Sequence, residues 1–172
     1  LAANYRVASR NQATPFDAVE DAKSAMRWIR QNAKELGINK KKIAASGGSA
    51  GGHLAACTAL IQGFDLDSEN LKISSKPNAL ILFNPVINTM PEGYGYQRLK
   101  EKAESISPAS HVVKKLPPTL IFHGTADTTV PYENITDFSA KMDIAGNTCY
   151  VVPFEGQGHG FFNYGKSDLS LI

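Results

Sequence analysis

The chain has little of several things, and each shortage excludes something. Two cysteines in 172 residues, Cys57 and Cys149, are too few for a disulfide framework. They do not combine with the four histidines at any metal-ligand spacing, so no metal centre is expected. Cys57 lies in an apolar helical run and Cys149 in a strand-like run, which suits buried free thiols. No stretch approaches the roughly 18 to 20 apolar residues of a membrane span. Charge of one sign is also scarce. Eighteen Lys and Arg against 16 Asp and Glu leave a net charge of +2, too small to suggest nucleic acid or an anionic membrane as partner. The one basic run, Lys40-Lys41-Lys42, reads as a solvated loop before a strand. No repeat or low-complexity segment is visible.

The remaining composition, 42% hydrophobic and 20% charged, is that of an ordinary globular domain with a sizeable core. Leu1–Val7 reads as the end of a strand, and Ser9–Thr14 as loop. Thr14 then caps a helix starting at Pro15, with an apolar face of Val19, Ala22, Met26, Ile29, Ala33 and Leu36, stopped by Gly37. Lys42–Ser46 is a short strand, and Gly52–Ile61 a helix apolar nearly all round. Phe64–Pro77 is polar and looped. Ala79–Phe83 is a continuous apolar run, typical of a strand covered on both faces. Val86–Leu116 is an excursion with one or two short helices. Pro118–Gly124 is a strand, Pro131–Ala145 a helix closed by Gly146, and Thr148–Pro153 a strand. Phe161 would open a terminal helix. Strands joined through helices imply a single α/β domain over residues 1–172, its mostly parallel sheet carrying helices on both faces.

The corner between the second strand and its helix carries chemistry. Gly47-Gly48-Ser49-Ala50-Gly51 has the form Gly-x-Ser-x-Gly, which sets a serine on a sharp strand-to-helix turn with its hydroxyl aimed outward. Glycines on both sides suit a corner where backbones approach closely and an added Cβ would collide. The helix starting near Ala50 points unpaired N–H groups at the serine. The pattern is short enough to arise by chance, so its weight depends on an acid and a histidine at suitable places later in the chain. Ligands and reacting groups in parallel sheets gather beyond the carboxyl ends of strands. Ser49, Asp127 and His159 each stand just past a strand end, in the order Ser, Asp, His.

These residues resemble the α/β-hydrolase superfamily. Ser49 and its glycines look like the nucleophile elbow. His123-Gly124-Thr125-Ala126-Asp127-Thr128-Thr129-Val130-Pro131 looks like the acid loop of its esterases and peptidases, and Gly158-His159-Gly160-Phe161 like the histidine loop. Gly-Gly-Ser-Ala-Gly-Gly-His-Leu-Ala and Ser107-Pro108-Ala109 resemble the acetyl-esterase/lipase group, which acts on small and carbohydrate esters. The resemblance implies a cofactor-free serine hydrolase with Ser49 as nucleophile, His159 as base, Asp127 as its orienting acid and the Ala50 N–H as oxyanion donor. The excursion at 86–116 would lie near the active site. Asn84, past a strand end, and Phe161 are candidates for contact with a small-molecule ester, although capping a turn is the commoner job for an asparagine so placed and packing the last helix would equally explain Phe161. His53 would brace the elbow, His123 would bond loop backbone, and His111 would sit at the surface.

The second oxyanion donor of this group resembles a His-Gly-Gly loop upstream of the elbow. Here the only His-Gly pairs are His123-Gly124 and His159-Gly160. The resemblance also implies about three strands and a helix before Leu1, one of them seated between the first two strands of this chain. The domain would then lack its first strands. Leu1–Val7 would shift across to pair with the elbow strand, the missing part would come from a separate piece of polypeptide, or the elbow strand would be an open edge able to recruit a second copy. Two rival functions are a prolyl-oligopeptidase-type serine peptidase and a non-catalytic hydrolase fragment. Ala50 speaks against the peptidase, whose elbow usually resembles Gly-x-Ser-Tyr-Gly.

Overall fold

Thr14, in extended backbone, closes a capping box with Asp17, whose carboxylate accepts the Thr14 N–H at 2.7 Å. The computed structural model describes residues 1–166. In order, its elements are α1 (Ala8–Asn11), α2 (Pro15–Gln31), β1 (Ala44–Gly48), α3 (Ala50–Leu60), β2 (Ala79–Phe83), α4 (Tyr96–Leu99), β3 (Thr119–Gly124), α5 (Tyr132–Ile144) and β4 (Cys149–Phe154). The regular part of α2 stops at Gln31, short of Gly37. An irregular last turn runs on to Gly37, where a φ of 66° and a 2.9 Å bond from Ile38 N–H to the Ala33 carbonyl close it.

Val19, Met26 and Ala33 are buried as their spacing predicts, but so are Lys23 and Arg27. With Arg30 they form a basic row on α2 that collects acceptors from the polar connection after α3. Lys23 Nζ lies 2.9 Å from Asp65 and also bonds the Gly63 carbonyl. Arg27 reaches Asp65 at 2.5 Å and Glu69 at 2.9 Å, and Arg30 donates to the Lys76 carbonyl at 2.6 Å. Burial pushes the Asp65 carboxyl up, but Lys23 and Arg27 outweigh it and hold the group below the usual carboxylate range. An irregular stretch keeps one path because α2 cations satisfy its acceptors.

No strand forms at Leu1–Val7. A strand needs a neighbouring edge for its backbone groups, and no described residue supplies one there. Arg6 instead ties this segment to α2, its backbone N–H donating to Asp21 at 2.7 Å and its guanidinium at 2.8 Å. The short helix α1 then replaces the predicted loop.

The four strands are all parallel, in the order β1-β2-β3-β4. Residues two apart share a face. On one face Ala45, Leu80, Leu82 and Ile121 are buried beneath α3 and α5, the latter contributing Ile135, Phe138 and Met142. On the other, Ile81, Phe83, Leu120 and Phe122 are only half-buried, and Tyr150 is 68% exposed. Among the described residues the helices packed on the sheet lie on the first face. One of the two expected helical layers is thus seen among the described residues, where helices cover β2 on one side. The second face carries the rings of Phe161 and Phe162 at its carboxyl end. Residues 161–166 form turns; the rest of the predicted terminal helix lies outside the described residues.

The excursion holds α4 and 3-10 turns at Lys100–Ile106 and Pro108–Ser110. It packs through Ile87, Leu99, Ala103 and Ile106. β1 pairs with β2 alone among the described residues, so the elbow strand stands at the sheet edge and Leu1–Val7 does not shift across to it. No helix of the described residues is long and apolar enough to cross a membrane.

Candidate active site

Ser49 joins β1 to α3 at φ 52° and ψ −117°, a backbone conformation that L residues rarely adopt. The surroundings impose it. Ser49 N–H donates to the Phe83 carbonyl at 2.9 Å, and the Ser49 carbonyl accepts from His53 N–H at 3.0 Å. A Cβ on Gly47 would sit 2.4 Å from the Gly51 carbonyl, and one on Gly52 would meet Pro85 at 2.9 Å. At Gly51 itself nothing lies within 4 Å, whereas a Cβ on Gly48 would meet the Phe162 ring at 2.4 Å, so the crowded glycines of the corner are Gly47, Gly48 and Gly52 and not the motif's outer pair. Ala50 is the first residue of α3, and its N–H has no intrahelical acceptor.

The acid and histidine loops are joined to each other. Ala126 N–H donates to the Gln157 carbonyl and Thr125 N–H to the Phe154 carbonyl, both at 3.0 Å. Gly124 permits this approach, because a Cβ there would meet the Gln157 oxygen at 2.1 Å. Asp127 ends with its carboxylate fully buried. Its Oδ1 accepts the N–H groups of Thr129 and Val130 at 2.9 Å each, and its Oδ2 accepts His159 Nδ1 at 2.7 Å. Burial raises the carboxyl, but the Val130 N–H, His159, Asn84 and the Thr129 N–H together hold it below the usual range. His159 Nε2 lies 2.9 Å from Ser49 Oγ. With Nδ1–H given to Asp127, the Nε2 lone pair faces the serine hydroxyl.

The other candidates fall into supporting places. Asn84 is fully buried, with Nδ2 2.5 Å from Asp127 Oδ2. It faces the acid and not an open pocket, which corrects the reading of it as a substrate contact. Phe161 is 6% exposed, its ring 4.5 Å from that of Phe154 and edge-on to Phe162, so packing and not ligand contact accounts for it. His53 donates to the Ile106 carbonyl at 2.6 Å and ties the excursion to α3; burial lowers its pKa. His123 donates to the Val130 carbonyl at 2.9 Å, and its pKa too is lowered, chiefly by burial. His111 bonds the Glu104 carbonyl at 2.8 Å.

A cavity of about 240 Å³ opens beside Ala50, lined by Leu54, Val86, Thr89, Leu99 and Ile106 and closed by residues of the 5–18 segment. No motif marks these wall residues, because four separate segments supply them. Among the described residues no cluster of His, Cys, Asp and Glu could hold a metal ion.

A serine raised on a strained corner after one parallel strand, with its acid and histidine after later strands, is the arrangement of an α/β-hydrolase. The chain belongs to that superfamily: residues 1–92 match the BD-FAE family and residues 78–170 the prolyl oligopeptidase family. Among solved structures it is similar to esterase 2 of Thermogutta terrifontis phosphorylated by paraoxon. That match has a TM-score of 0.89 and 52% identity, covering 96% of this chain and 62% of that one. The propionate-bound form of the same esterase matches with a TM-score of 0.89 and 50% identity, covering 96% of this chain and 63% of that one. A probable carboxylic ester hydrolase of Mycobacterium tuberculosis is 29% identical, over 83% of this chain and 37% of that protein. An acetylxylan esterase of Xylanibacter ruminicola is 28% identical, over 92% of this chain and 33% of that protein. The chain therefore spans about a third of these curated relatives and 62% of the solved esterase.

Proposed function

We propose that this chain forms the catalytic core of a serine hydrolase that cleaves short-chain or carbohydrate-linked carboxylic esters through an acyl-enzyme. The observation that carries the reading is the continuous relay from Ser49 Oγ to His159 Nε2 at 2.9 Å and from His159 Nδ1 to Asp127 Oδ2 at 2.7 Å. His159 takes the Ser49 proton as the oxygen adds to the ester carbonyl carbon. Asp127 keeps the imidazole in the Nδ1–H tautomer and stabilises the imidazolium. The Ala50 N–H donates to the oxyanion, an interaction worth roughly 3 to 4 kcal/mol in the transition state. The alcohol leaves with the proton from His159, and water, deprotonated by the same nitrogen, then releases the acid and restores Ser49.

A cavity of about 240 Å³ beside Ala50 supports a small acyl or alcohol group, since pockets for drug-sized ligands run to roughly 300 to 1,000 Å³. The propionate- and butyrate-bound forms of the similar esterase agree with that size. A second reading, a peptidase, draws on the match of residues 78–170 to the prolyl oligopeptidase family. That match begins after the elbow, and the elbow half matches BD-FAE. The open outer edge of β1 supports pairing with a further strand, including that of a second copy.

A fluorophosphonate probe tests the reading. The chain is expected to take the label on Ser49 and to lose it in Ser49→Ala. Hydrolysis of aryl acetates without hydrolysis of aminoacyl amides would remove the peptidase. Labelling that survives Ser49→Ala would sink the nucleophile assignment.

A further inference from the structure

We infer that Asn84 is a positioning residue for the acid of the site: its side-chain amide fixes Asp127 Oδ2 and sets how tightly that carboxylate holds His159. The inference rests on the roles proposed above for Ser49, His159 and Asp127. Asn84 stands immediately beyond β2 and is fully buried. Its backbone N–H donates to the Phe122 carbonyl at 2.9 Å, which anchors it beside β3, the strand that leads to Asp127. Its φ is 41°, in the left-handed region that asparagine tolerates better than most residues.

The groups around the amide fix its orientation. At 2.5 Å from a carboxylate oxygen it must present its N–H, because an amide oxygen there would be repelled. Asp127 Oδ1 is already occupied by two backbone N–H groups, so Oδ2 is the oxygen left for His159. Asn84 donates to that same Oδ2. A second donor keeps the carboxylate from rotating about its bond and draws off part of the charge that would otherwise favour the imidazolium. The far end of the amide, Oδ1, is buried with no partner among the described residues. An unpaired buried acceptor costs stability. Of the amide's two ends, the N–H on Asp127 is therefore what accounts for a polar side chain here.

The ionisable side chains against Asp127 among the described residues are His159 and His123. His123 Nε2 is 3.3 Å from Oδ2, but its proton goes to the Val130 carbonyl at 2.9 Å. Asn84 and His159 are thus the two side-chain donors aimed at the acid.

The test is the pH dependence of the fluorophosphonate labelling rate for the wild type, Asn84→Gly and Asn84→Asp. Glycine accepts the positive φ and removes the amide; aspartate keeps the shape and sets a second carboxyl against Oδ2, where the two buried groups must share one proton. Labelling near pH 7 is expected to fall about tenfold or more in both. The acidic limb is expected to move up by roughly half a unit or more in Asn84→Gly, and to leave its wild-type position in Asn84→Asp as well, because a shared proton changes the charge on Oδ2. If Asn84→Gly fails to fold, the isosteric Asn84→Asp decides. A lower melting temperature and slower labelling with an unmoved limb would mean a purely structural residue and overturn the inference, as would wild-type behaviour in both variants. Failure of the wild type to label, or label persisting in Ser49→Ala, would instead strike the underlying assignment. In that event the downfield Nδ1–H proton resonance of His159 serves as a readout free of labelling. It shifts in both variants if Asn84 acts on Asp127, and a resonance that stays in place overturns the inference.

Discussion

The two faces of the sheet share strands, composition and register, yet they do different work. Leu80 and Leu82 of β2 are fully buried beneath α3 and α5, whereas Ile81 and Phe83, one position along, remain half-buried. At the carboxyl end the faces differ in chemistry too. The alternation on the covered side runs on into His123 and Asn84, buried polar groups that surround Asp127. On the other side Phe83, Phe122 and Phe154 meet Phe161 and Phe162, the rings just after His159. The acid is held by hydrogen bonds, and the histidine loop adds tilted and edge-on aromatic contacts to its backbone bonds with the acid loop. Directional bonds suit a carboxylate whose two oxygens must be told apart, and apolar contact suits a loop that has only to be pinned.

This contrast can be broken by substitution. The largest effect belongs to the polar end of the covered side, where Asp127→Asn should lower ester turnover on the order of 10³ to 10⁴-fold in protein that still folds. A loss of under tenfold would remove Asp127 from its role. Next comes the covered face itself: Leu82→Ala should cost about 2 to 5 kcal/mol in urea unfolding. Asp65→Asn should cost about 2 kcal/mol at neutral pH, since it strips a partner from the buried Lys23 and Arg27. The sign of its pH dependence is set by a folded pKa held below the unfolded value. The Asp65 contribution is present above roughly pH 4 and lost as pH falls through the folded pKa, so the variant's melting temperature should fall less steeply than the wild type's in acid. The smallest effect is expected at Ile81→Ala on the open face, below about 1 kcal/mol. Equal costs for Ile81→Ala and Leu82→Ala would show that the second face is covered in solution.

Much of this was legible in the sequence because its signals are local. Apolar spacing with Thr14 and Pro15 marks α2, and continuous apolar runs mark β2 and β3. Gly-x-Ser-x-Gly, with an acid and a histidine after later strands, marks Ser49, Asp127 and His159. The misses share a different cause. Leu1–Val7 has the composition of a strand, but a strand exists only beside a partner edge. Lys23 and Arg27 look solvent-facing by type, and only the return of residues 61–76 buries them. Asn84 and Phe161 stand past strand ends as ligand contacts would. Which way their side chains turn depends on neighbours 43 residues away for Asn84 and on an aromatic cluster drawn from several strands for Phe161.

By itself, then, the sequence determined the order of elements, the strained corner at Ser49 and the identity of the residues that could form a relay with it, because periodicity, glycine freedom and side-chain chemistry act over a few neighbouring positions. Only the tertiary structure decided which face of the sheet is dry, which glycines are crowded, and that Asn84 grips the acid. Those outcomes depend on distances between segments far apart in the chain, and such distances exist only once parallel pairing has set β1 to β4 side by side.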